Sequence, residues 1–252
     1  MRDFDLYIFD LDGTLYRGSE PLPFAAEAVQ RVRERGAQVR FLTNNSGSRP
    51  DQQIAKLTQM GIRATVDEIL TSGIGAAKYL CAENLRKVFL VGEIGLAEIL
   101  EDAGIELVSA GEPCDAVLVG ICRTFTYRWM NEALQAILLG ARFIATNRDA
   151  TYPVENGRVT PGAGAIVASI ETAAGQTPTV IGKPNPYLVQ LLLNETGISP
   201  ARTLVIGDRY ETDILSAEAA GCETLLVLTG VTRTPPENQR WSNDLSILLE
   251  AE

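Results

Sequence analysis

Short apolar runs alternate with amphipathic segments along this chain, and the alternation predicts an α/β fold. Apolar runs that suit buried strands lie at residues 6–9 and 39–42. Between them, residues 24–35 have helical spacing and precede Gly36, a residue typical of helix ends. A further helix is predicted at about 50–60. Strands separated by helices in this way predict a doubly wound, Rossmann-like parallel sheet.

A second series of predicted strands and helices occupies the middle of the chain, with strands at about 115–121 and 143–146. This segment contains no acidic pair or phosphate loop comparable with the polar motifs on either side of it. We therefore expect a catalytic core domain of residues 1–79 and 179–252, interrupted by an inserted α/β cap domain of residues 80–178.

Polar residues with reactive side chains directly follow four of the apolar runs. In chain order they are Asp10 and Asp12; Thr43, Asn44 and Asn45; Lys183, after the run at 180–182; and Asp208, after the run at 203–207, with Asp213 close behind. In an open parallel sheet the carboxyl ends of the strands share one edge, where ligands bind. All four motifs can therefore meet at the edge of the core sheet.

The first of these motifs, DLDGT, is suited to acid–base and nucleophilic chemistry. Residues i and i+2 of an extended chain share one face, so Asp10 and Asp12 can converge on one point unless the chain turns at Gly13. One carboxylate can then attack while the other moves a proton. An acidic turn that caps a helix is the alternative interpretation of this motif alone.

The composition excludes several classes of reaction and of binding partner. The 252 residues include no histidine, and the formal net charge is −10. The lack of histidine removes imidazole as a base or ligand, which excludes Ser/His/Asp hydrolysis and histidine-based zinc hydrolysis. The negative charge argues against nucleic acid or an anionic membrane surface as a partner. Asp10, Asp12 and Asp208 offer only oxygen ligands, which suit Mg²⁺.

Other features of the sequence predict structure rather than chemistry. The four cysteines are scattered and include no CxxC pair, so neither a zinc site nor a disulfide framework is expected. The glycine-rich stretch at 162–165 lacks the third glycine of a dinucleotide fingerprint and is interpreted as the start of a helix. No signal peptide or run of eighteen apolar residues is found, so a cytoplasmic location is expected.

The motifs together resemble the haloacid dehalogenase superfamily of phosphotransferases, whose order is DxDGT, Thr, Lys and GDxxxTD. The phrases FLTNNS, ATNRD, TPGAGA and VIGKPNP resemble its NagD-like branch, which carries a type IIA cap. The resemblance covers nearly the whole chain. It implies a magnesium-dependent phosphomonoester hydrolase that acts on small phosphorylated metabolites through an aspartyl-phosphate, and it leaves open a homodimer formed through the cap.

The resemblance also implies roles for individual residues. Asp10 would be the nucleophile, and Asp12 the general acid and then the general base. Thr43 and Lys183 would hold the phosphoryl group. The magnesium ion would lie on the Asp10 carboxylate, the Asp12 main-chain carbonyl and Asp208, while Asp213 would support this site from behind.

The loop after the TNRD phrase is expected to help select the leaving group. Arg148 and Tyr152 lie in this loop, and together with Asn44 and Asn45 they are candidate substrate-binding residues. Relatives that act on pyridoxal phosphate can carry histidine where this chain has Tyr152, which puts that substrate in doubt. Arg148 could attract an anionic leaving group. Phosphoglycolate, sugar and triose phosphates, and aryl phosphates all remain open.

Two alternative functions remain open at this point. A phosphotransferase or phosphomutase of the same superfamily would use the same residues, and a hydrolysis assay separates it from a phosphatase. A phospho-accepting signalling domain would also place acidic residues, Thr and Lys at strand ends. Such a domain has no need of about a hundred extra residues between its functional strands, whereas an enzyme gains a lid from them. A phosphatase is therefore preferred.

Overall fold

The computed structural model describes residues 3–153 and 158–250. The described strands are β1 (Leu6–Asp10), β2 (Tyr16–Arg17), β3 (Glu20–Pro21), β4 (Gln38–Thr43), β5 (Ile69–Thr71), β6 (Lys87–Val91), β7 (Glu106–Leu107), β8 (Ala116–Val119), β9 (Arg142–Ala145), β10 (Thr151–Pro153), β11 (Val159–Pro161), β12 (Thr179–Val180), β13 (Thr203–Gly207), β14 (Glu223–Val227) and β15 (Trp241–Ser242).

The described α-helices alternate with these strands. They are α1 (Ala25–Glu34), α2 (Pro50–Gln59), α3 (Ser72–Ala82), α4 (Ile94–Asp102), α5 (Tyr127–Leu138), α6 (Ala163–Ala174), α7 (Tyr187–Thr196) and α8 (Leu215–Ala219). The alternation confirms the predicted α/β class. In the described ranges, every helix is too short or too polar to cross a lipid bilayer.

The chain forms two compact units, and it passes between them four times. The first unit comprises the residues up to Thr43, Pro50–Leu70 and the chain from Lys183 onward, and the second comprises Asn44–Arg49 and Thr71–Gly182. The second unit is thus larger than the cap domain expected at 80–178, because it includes all of α3 and a short loop after β4. The functional division into catalytic core and cap stays a prediction.

The first unit is built on a six-stranded sheet in the order β15-β14-β13-β1-β4-β5. Strand β1 lies between β13 and β4 and runs parallel to both, so that Phe9 pairs with Ile206 on one side and Phe41 on the other. All five residues of β1 are buried, as expected for a parallel strand covered on both faces. This is the doubly wound core that the sequence predicts.

Three of the predicted polar motifs meet at the carboxyl edge of this sheet. Asp10 is the last residue of β1, Thr43 is the last residue of β4, and Asp208 follows the last residue of β13. Because β4 and β13 flank β1, the three residues end adjacent strands. The expectation of a shared edge is correct for these motifs.

The expectation is wrong for the run that precedes Lys183. Strand β12 pairs with β9 in the second unit, whose sheet has the order β12-β9-β8-β6-β7, so Lys183 does not follow a core strand. The run at 180–182 is too short for its apolar pattern to indicate which sheet it joins. Only the pairing of distant backbone groups decides that question.

Local signals account for most of the helix limits. Helix α1 buries Ala25, Ala28, Val29 and Val32, which form the apolar stripe of a surface helix. Helix α6 begins at Ala163, as predicted for the glycine-rich stretch. Helix α3 begins at Ser72, where the Thr71 hydroxyl accepts a hydrogen bond from Ile74 N (3.1 Å) and caps the helix.

Candidate active site

Four charged side chains form a buried cluster in the first unit: Asp10, Lys183, Asp208 and Asp213. Lys183 Nζ lies 2.6 Å from Asp10 Oδ1 and 2.6 Å from Asp213 Oδ1. One carboxylate oxygen from each of the three aspartates lies within 4.8 Å of the other two. We call these four residues the acidic cluster. It brings together members of three motifs that are far apart in the sequence.

Glycines make room for the acidic cluster. Gly13 has φ +92°, a conformation that side chains disfavour, and it starts the turn in which its N–H donates to Tyr16 O (2.7 Å). A Cβ atom on Gly13 would lie 2.5 Å from Asp208 Oδ2, and one on Gly230 would lie 1.8 Å from the same oxygen. The DLDGT motif therefore needs its glycine both for the turn and for the close approach of Asp208.

The cluster carries more negative charge than its lysine neutralises. Burial raises the pKa of Asp10 well above its ordinary value, while Lys183 opposes this rise. Burial and the charge of Asp213 raise the pKa of Asp208 from 3.8 to about 7. Burial alone would lower the pKa of Lys183, but Asp10 and Asp213 hold it above its ordinary value. A bound cation would relieve the remaining repulsion between the carboxylates.

The hydrogen bonds distinguish Asp213 from the other two carboxylates. Asp213 Oδ1 binds Lys183, and its Oδ2 accepts from Arg209 N (3.0 Å), so both oxygens are engaged. Asp10 receives Lys183 on Oδ1, and Asp208 receives Val231 N on Oδ2 (2.6 Å). Within residues 3–153 and 158–250, no donor reaches Asp10 Oδ2 or Asp208 Oδ1. Carboxylate oxygens that lack a protein donor are the ligand type that a hard divalent cation prefers.

Asp12 lies apart from the acidic cluster, with 43% of its side chain exposed. Its Oδ2 is 3.2 Å from the hydroxyl of Tyr16, which is also 3.3 Å from Gln53 Oε1. Its Oδ1 is 4.0 Å from Lys56 Nζ. Partial burial raises the pKa of Asp12, while Lys56 and Tyr16 oppose the rise.

Tyr16, Gln53 and Lys56 were not predicted from the sequence. Gln53 and Lys56 lie three residues apart on α2, the spacing of one helix face. Gln53 is buried on the same helix as Leu57, four residues later. A polar residue in the apolar stripe of α2 is a local signal that indicates Gln53. No local signal indicates its partner Tyr16.

In the second unit a buried polar network surrounds Asn44. Its side-chain Nδ2 donates to both carboxylate oxygens of Asp149 (3.2 Å each), and its main-chain oxygen accepts from Ser72 Oγ (2.6 Å) and Asn147 Nδ2 (2.8 Å). We call Asn44, Ser72, Asn147 and Asp149 the Asn44 network. Asn44 and Thr43 are neighbours in sequence but belong to different units.

The other candidate substrate-binding residues of the second unit have protein partners. Asn45 Oδ1 accepts from Gly47 N (2.9 Å), which closes a turn. The guanidinium of Arg148 pairs with Glu171. Tyr152 accepts a hydrogen bond from Arg123 Nε (3.1 Å), a residue that the sequence analysis did not single out. The structure therefore does not gather these residues into one cluster.

Family comparisons agree with the geometry. Residues 7–106 match the model of the haloacid dehalogenase-like hydrolases, and residues 180–246 match a second model described as HAD-hydrolase-like. The chain belongs to the haloacid dehalogenase-like hydrolase family. The two matched segments include Asp10, Thr43, Lys183, Asp208 and Asp213.

Similar proteins cover almost the whole chain. The 5'-nucleotidase YutF of Bacillus subtilis is 37% identical over 234 residues, which are 92% of this chain and 90% of that protein. The structure of NagD from Escherichia coli K-12 superposes with a TM-score of 0.89 at 29% identity and covers 97% and 98% of the two chains. A glycerol phosphate phosphatase from Mycobacterium tuberculosis, solved in complex with magnesium, gives a TM-score of 0.88 at 35% identity and covers 98% of this chain and 76% of that one.

These findings confirm two expectations from the sequence. The resemblance to NagD-like members of the haloacid dehalogenase superfamily is correct, and so is the assignment as an enzyme that hydrolyses phosphoric monoesters. A divalent metal is general for phosphatases of this kind and fits the acidic cluster.

Proposed function

We propose that this hydrolase removes phosphate from small phosphorylated metabolites with magnesium and through an aspartyl-phosphate formed on Asp10. The observation that carries the proposal is the acidic cluster. In it the strand-end carboxylate of Asp10 is paired with the buried Lys183 (2.6 Å), and no donor among the described residues reaches its second oxygen. In a structural ion-pair network, both oxygens of the carboxylate would be satisfied, as they are in Asp213.

Asp10 is the nucleophile in this proposal. One of its oxygens forms a bond to phosphorus while the bond between phosphorus and the ester oxygen breaks. Lys183 favours the ionised form of this carboxylate and orients it, and its charge also attracts the phosphoryl oxygens. Thr43, which ends the adjacent strand and is buried, is proposed to donate its hydroxyl to the same phosphoryl group.

Asp12 moves the proton in both halves of the reaction. Its proton goes to the leaving oxygen when the ester bond breaks. The resulting carboxylate then takes a proton from the water that attacks phosphorus, while the bond between phosphorus and the Asp10 oxygen breaks to release phosphate and the free Asp10 carboxylate. The environment that raises its pKa favours the protonated form needed in the first half. Its partial exposure supports this role, because a side chain that exchanges protons with substrate and water must be reachable.

The proposed magnesium ligands are the Asp10 carboxylate, the Asp12 main-chain carbonyl and Asp208, with Asp213 holding Lys183 behind them. A bound magnesium ion would neutralise charge on the phosphoryl oxygens during transfer. The raised pKa values of Asp10 and Asp208 support a cation here, because both carboxyl groups lack sufficient positive charge nearby. Asp213 fits a supporting role since its oxygens already accept hydrogen bonds.

The proposed substrate class is a small phosphomonoester with a polar leaving group. Relatives named as acting on nucleotides and glycerol phosphate support this class, and Tyr152 in place of histidine weighs against pyridoxal phosphate. We propose that residues 80–178 act as the cap domain that selects the leaving group, with Asn44, Asn45, Arg148 and Tyr152 as candidate contacts. A phosphate-release panel of nucleotides, glycerol phosphates, phosphoglycolate and sugar phosphates measures the preference.

Rapid quench of the purified protein, mixed with nitrophenyl phosphate and magnesium, tests the proposed mechanism. We expect many turnovers and a transient, acid-stable phosphoprotein that is absent from Asp10→Ala. A stoichiometric, long-lived phosphoprotein without turnover would instead identify a phospho-accepting switch. Transfer of the phosphate to a second hydroxyl in preference to water would identify a phosphotransferase.

A further inference from the structure

The Asp12 side chain has a set of contacts of its own, separate from the acidic cluster. The Tyr16 hydroxyl lies 3.2 Å from Asp12 Oδ2, and Lys56 Nζ lies 4.0 Å from Asp12 Oδ1. Each carboxylate oxygen thus faces one donor. A side chain that is 43% exposed would otherwise exchange among several rotamers in solvent.

The donor on Oδ2 is held rigidly. Tyr16 is fully buried, and its hydroxyl is also 3.3 Å from Oε1 of the buried Gln53. The single Tyr16 O–H can donate to only one of these two acceptors at a time, and the two acceptors on one side keep the hydroxyl directed toward Asp12 and Gln53. The main chain adds a second constraint, because Tyr16 O accepts from Gly13 N (2.7 Å) within the turn that follows Asp12.

The donor on Oδ1 is held by packing. Lys56 Nζ stands 3.6 Å from the centre of the Tyr16 ring, a cation–π contact, and its side chain is 33% exposed. Lys56 and Gln53 share one face of α2, so a single helix supports both donors. Tyr16, Gln53 and Lys56 form one connected support around the carboxylate of Asp12.

We propose that Tyr16 and Lys56 are positioning residues that hold the Asp12 carboxyl group in the orientation needed to protonate the leaving oxygen, with Gln53 holding Tyr16. This inference rests on the proposed role of Asp12 as general acid. A purely structural role would lower stability or activity without regard to the leaving group. A positioning role makes the effect depend on how much the leaving oxygen needs a proton.

Two esters separate these roles. Nitrophenolate leaves readily without a proton, whereas the alkoxide of glycerol phosphate requires one, so misplacing the general acid should harm the alkyl ester more. The constant kcat/KM is suitable because it reports the steps up to release of the leaving group. Tyr16→Phe and Lys56→Met should each lower kcat/KM for glycerol phosphate about tenfold more than for nitrophenyl phosphate.

Matched variants control for loss of structure. Tyr7→Phe removes a buried hydroxyl from the same hydrophobic cluster, and Lys87→Met removes an exposed ammonium whose partner is Glu106 (3.6 Å) in the second unit. Both should leave the ratio of the two kcat/KM values unchanged. Lys56→Arg should restore the parent ratio because it keeps the positive charge. Because Lys56 is partly exposed, its variants should fold even if Tyr16→Phe does not, and the two esters can then be compared with the Lys56 variants alone.

A double-variant comparison completes the test. If Tyr16 acts through Asp12, Tyr16→Phe should change kcat/KM less than twofold in the Asp12→Asn background. Two results would overturn the inference while leaving the proposed function intact. One is an equal loss of kcat/KM on both esters in Tyr16→Phe and Lys56→Met. The other is a loss of kcat/KM from Tyr16→Phe that is as large in the Asp12→Asn background as in the parent. A parent protein that hydrolyses neither ester would overturn the proposed function, and this inference with it.

Discussion

The two parallel sheets of this chain are built alike but differ in the residues at the carboxyl ends of their strands. In the first unit Asp10, Thr43 and Asp208 end or follow three adjacent strands. In the second unit β8 is followed by Gly120 and β9 by Thr146, neither of which carries a charge. Similar architecture therefore provides two similar edges, and the proposed catalytic residues lie at the edge of the first.

The buried polar groups of the two units differ in how well they are satisfied. In the Asn44 network the Asn44 amide donates to both oxygens of Asp149, and its carbonyl accepts from Ser72 and Asn147. In the acidic cluster, one lysine lies among three carboxylates and pairs with two of them, Asp10 and Asp213. Burial and the charge of Asp213 raise the pKa of Asp208 to about 7. A satisfied network stabilises a fold, whereas a buried excess of charge needs a ligand.

The largest expected effect concerns Asp10, the proposed nucleophile. Asp10→Asn should lower kcat for nitrophenyl phosphate by more than about 10⁴-fold, because the amide cannot attack phosphorus. Asp149→Asn, which alters the carboxylate of the Asn44 network, should lower it by less than about tenfold, the effect of a small displacement. Steady-state kinetics of both variants with magnesium, after circular dichroism has verified folding, measures the difference. Equal losses in the two variants would contradict the distinction between the units.

Removing the lysine of the acidic cluster should have the next largest effect. Lys183→Met leaves Asp10 and Asp213 buried without their cation, so kcat/KM should fall about 10²- to 10³-fold and the free energy of unfolding by about 3 kcal/mol. The matched change Arg148→Met removes a cation from the second unit, where its partner Glu171 forms a partly exposed pair. Arg148→Met should lower the free energy of unfolding, measured by urea titration, by less than about 1 kcal/mol. A stable, active Lys183→Met protein would count against the role of this pair.

Magnesium should stabilise the protein in a manner that depends on pH. Because the pKa of Asp208 is raised from 3.8 to about 7, the folded protein without metal retains a proton that the unfolded chain has lost. Its contribution to the free energy of unfolding therefore falls as the pH rises through this interval. If magnesium binds as proposed, it replaces this proton, so saturating metal should raise Tm by about 5 °C at pH 8 and by clearly less at pH 5.5.

A control variant assigns this thermal shift to the acidic cluster. Asp208→Asn removes one proposed ligand and the titrating group together, so magnesium should no longer change Tm in differential scanning calorimetry. Hydrogen exchange should show slower exchange in β1 and β13 when magnesium is added, with little change in β8 and β9. A shift that is independent of pH, or that persists in Asp208→Asn, would place the bound metal elsewhere.

The smallest effect is expected for Arg148 as a substrate contact. Because Arg148 already pairs with Glu171, Arg148→Ala should raise KM for an anionic substrate such as phosphoglycolate by no more than about fivefold and leave kcat unchanged. Arg148→Lys should lie between the parent and the alanine variant. A rise in KM of a hundredfold would show that the guanidinium binds substrate more strongly than its pairing with Glu171 allows.

Local patterns in the sequence were sufficient to predict most of the fold. Residues 24–35 were predicted as a helix, and α1 spans Ala25–Glu34; the predicted strands at 6–9 and 39–42 correspond to β1 and β4. These elements follow from the spacing of apolar residues and from glycines at their ends, which act within a few residues. The strand-end aspartates were predicted for the same reason, since β1 and β13 are continuous apolar runs.

Tertiary structure alone decided the remaining features. The sequence predicted the run before Lys183 as a core strand, but β12 joins the other sheet, and Lys183 nevertheless reaches Asp10, 173 residues earlier in the chain. The support of Asp12 was not predicted either, because Tyr16 and Gln53 are 37 residues apart. Apolar periodicity indicates which face of an element is buried, but which strand it pairs with and which side chain it meets depend on contacts between distant segments.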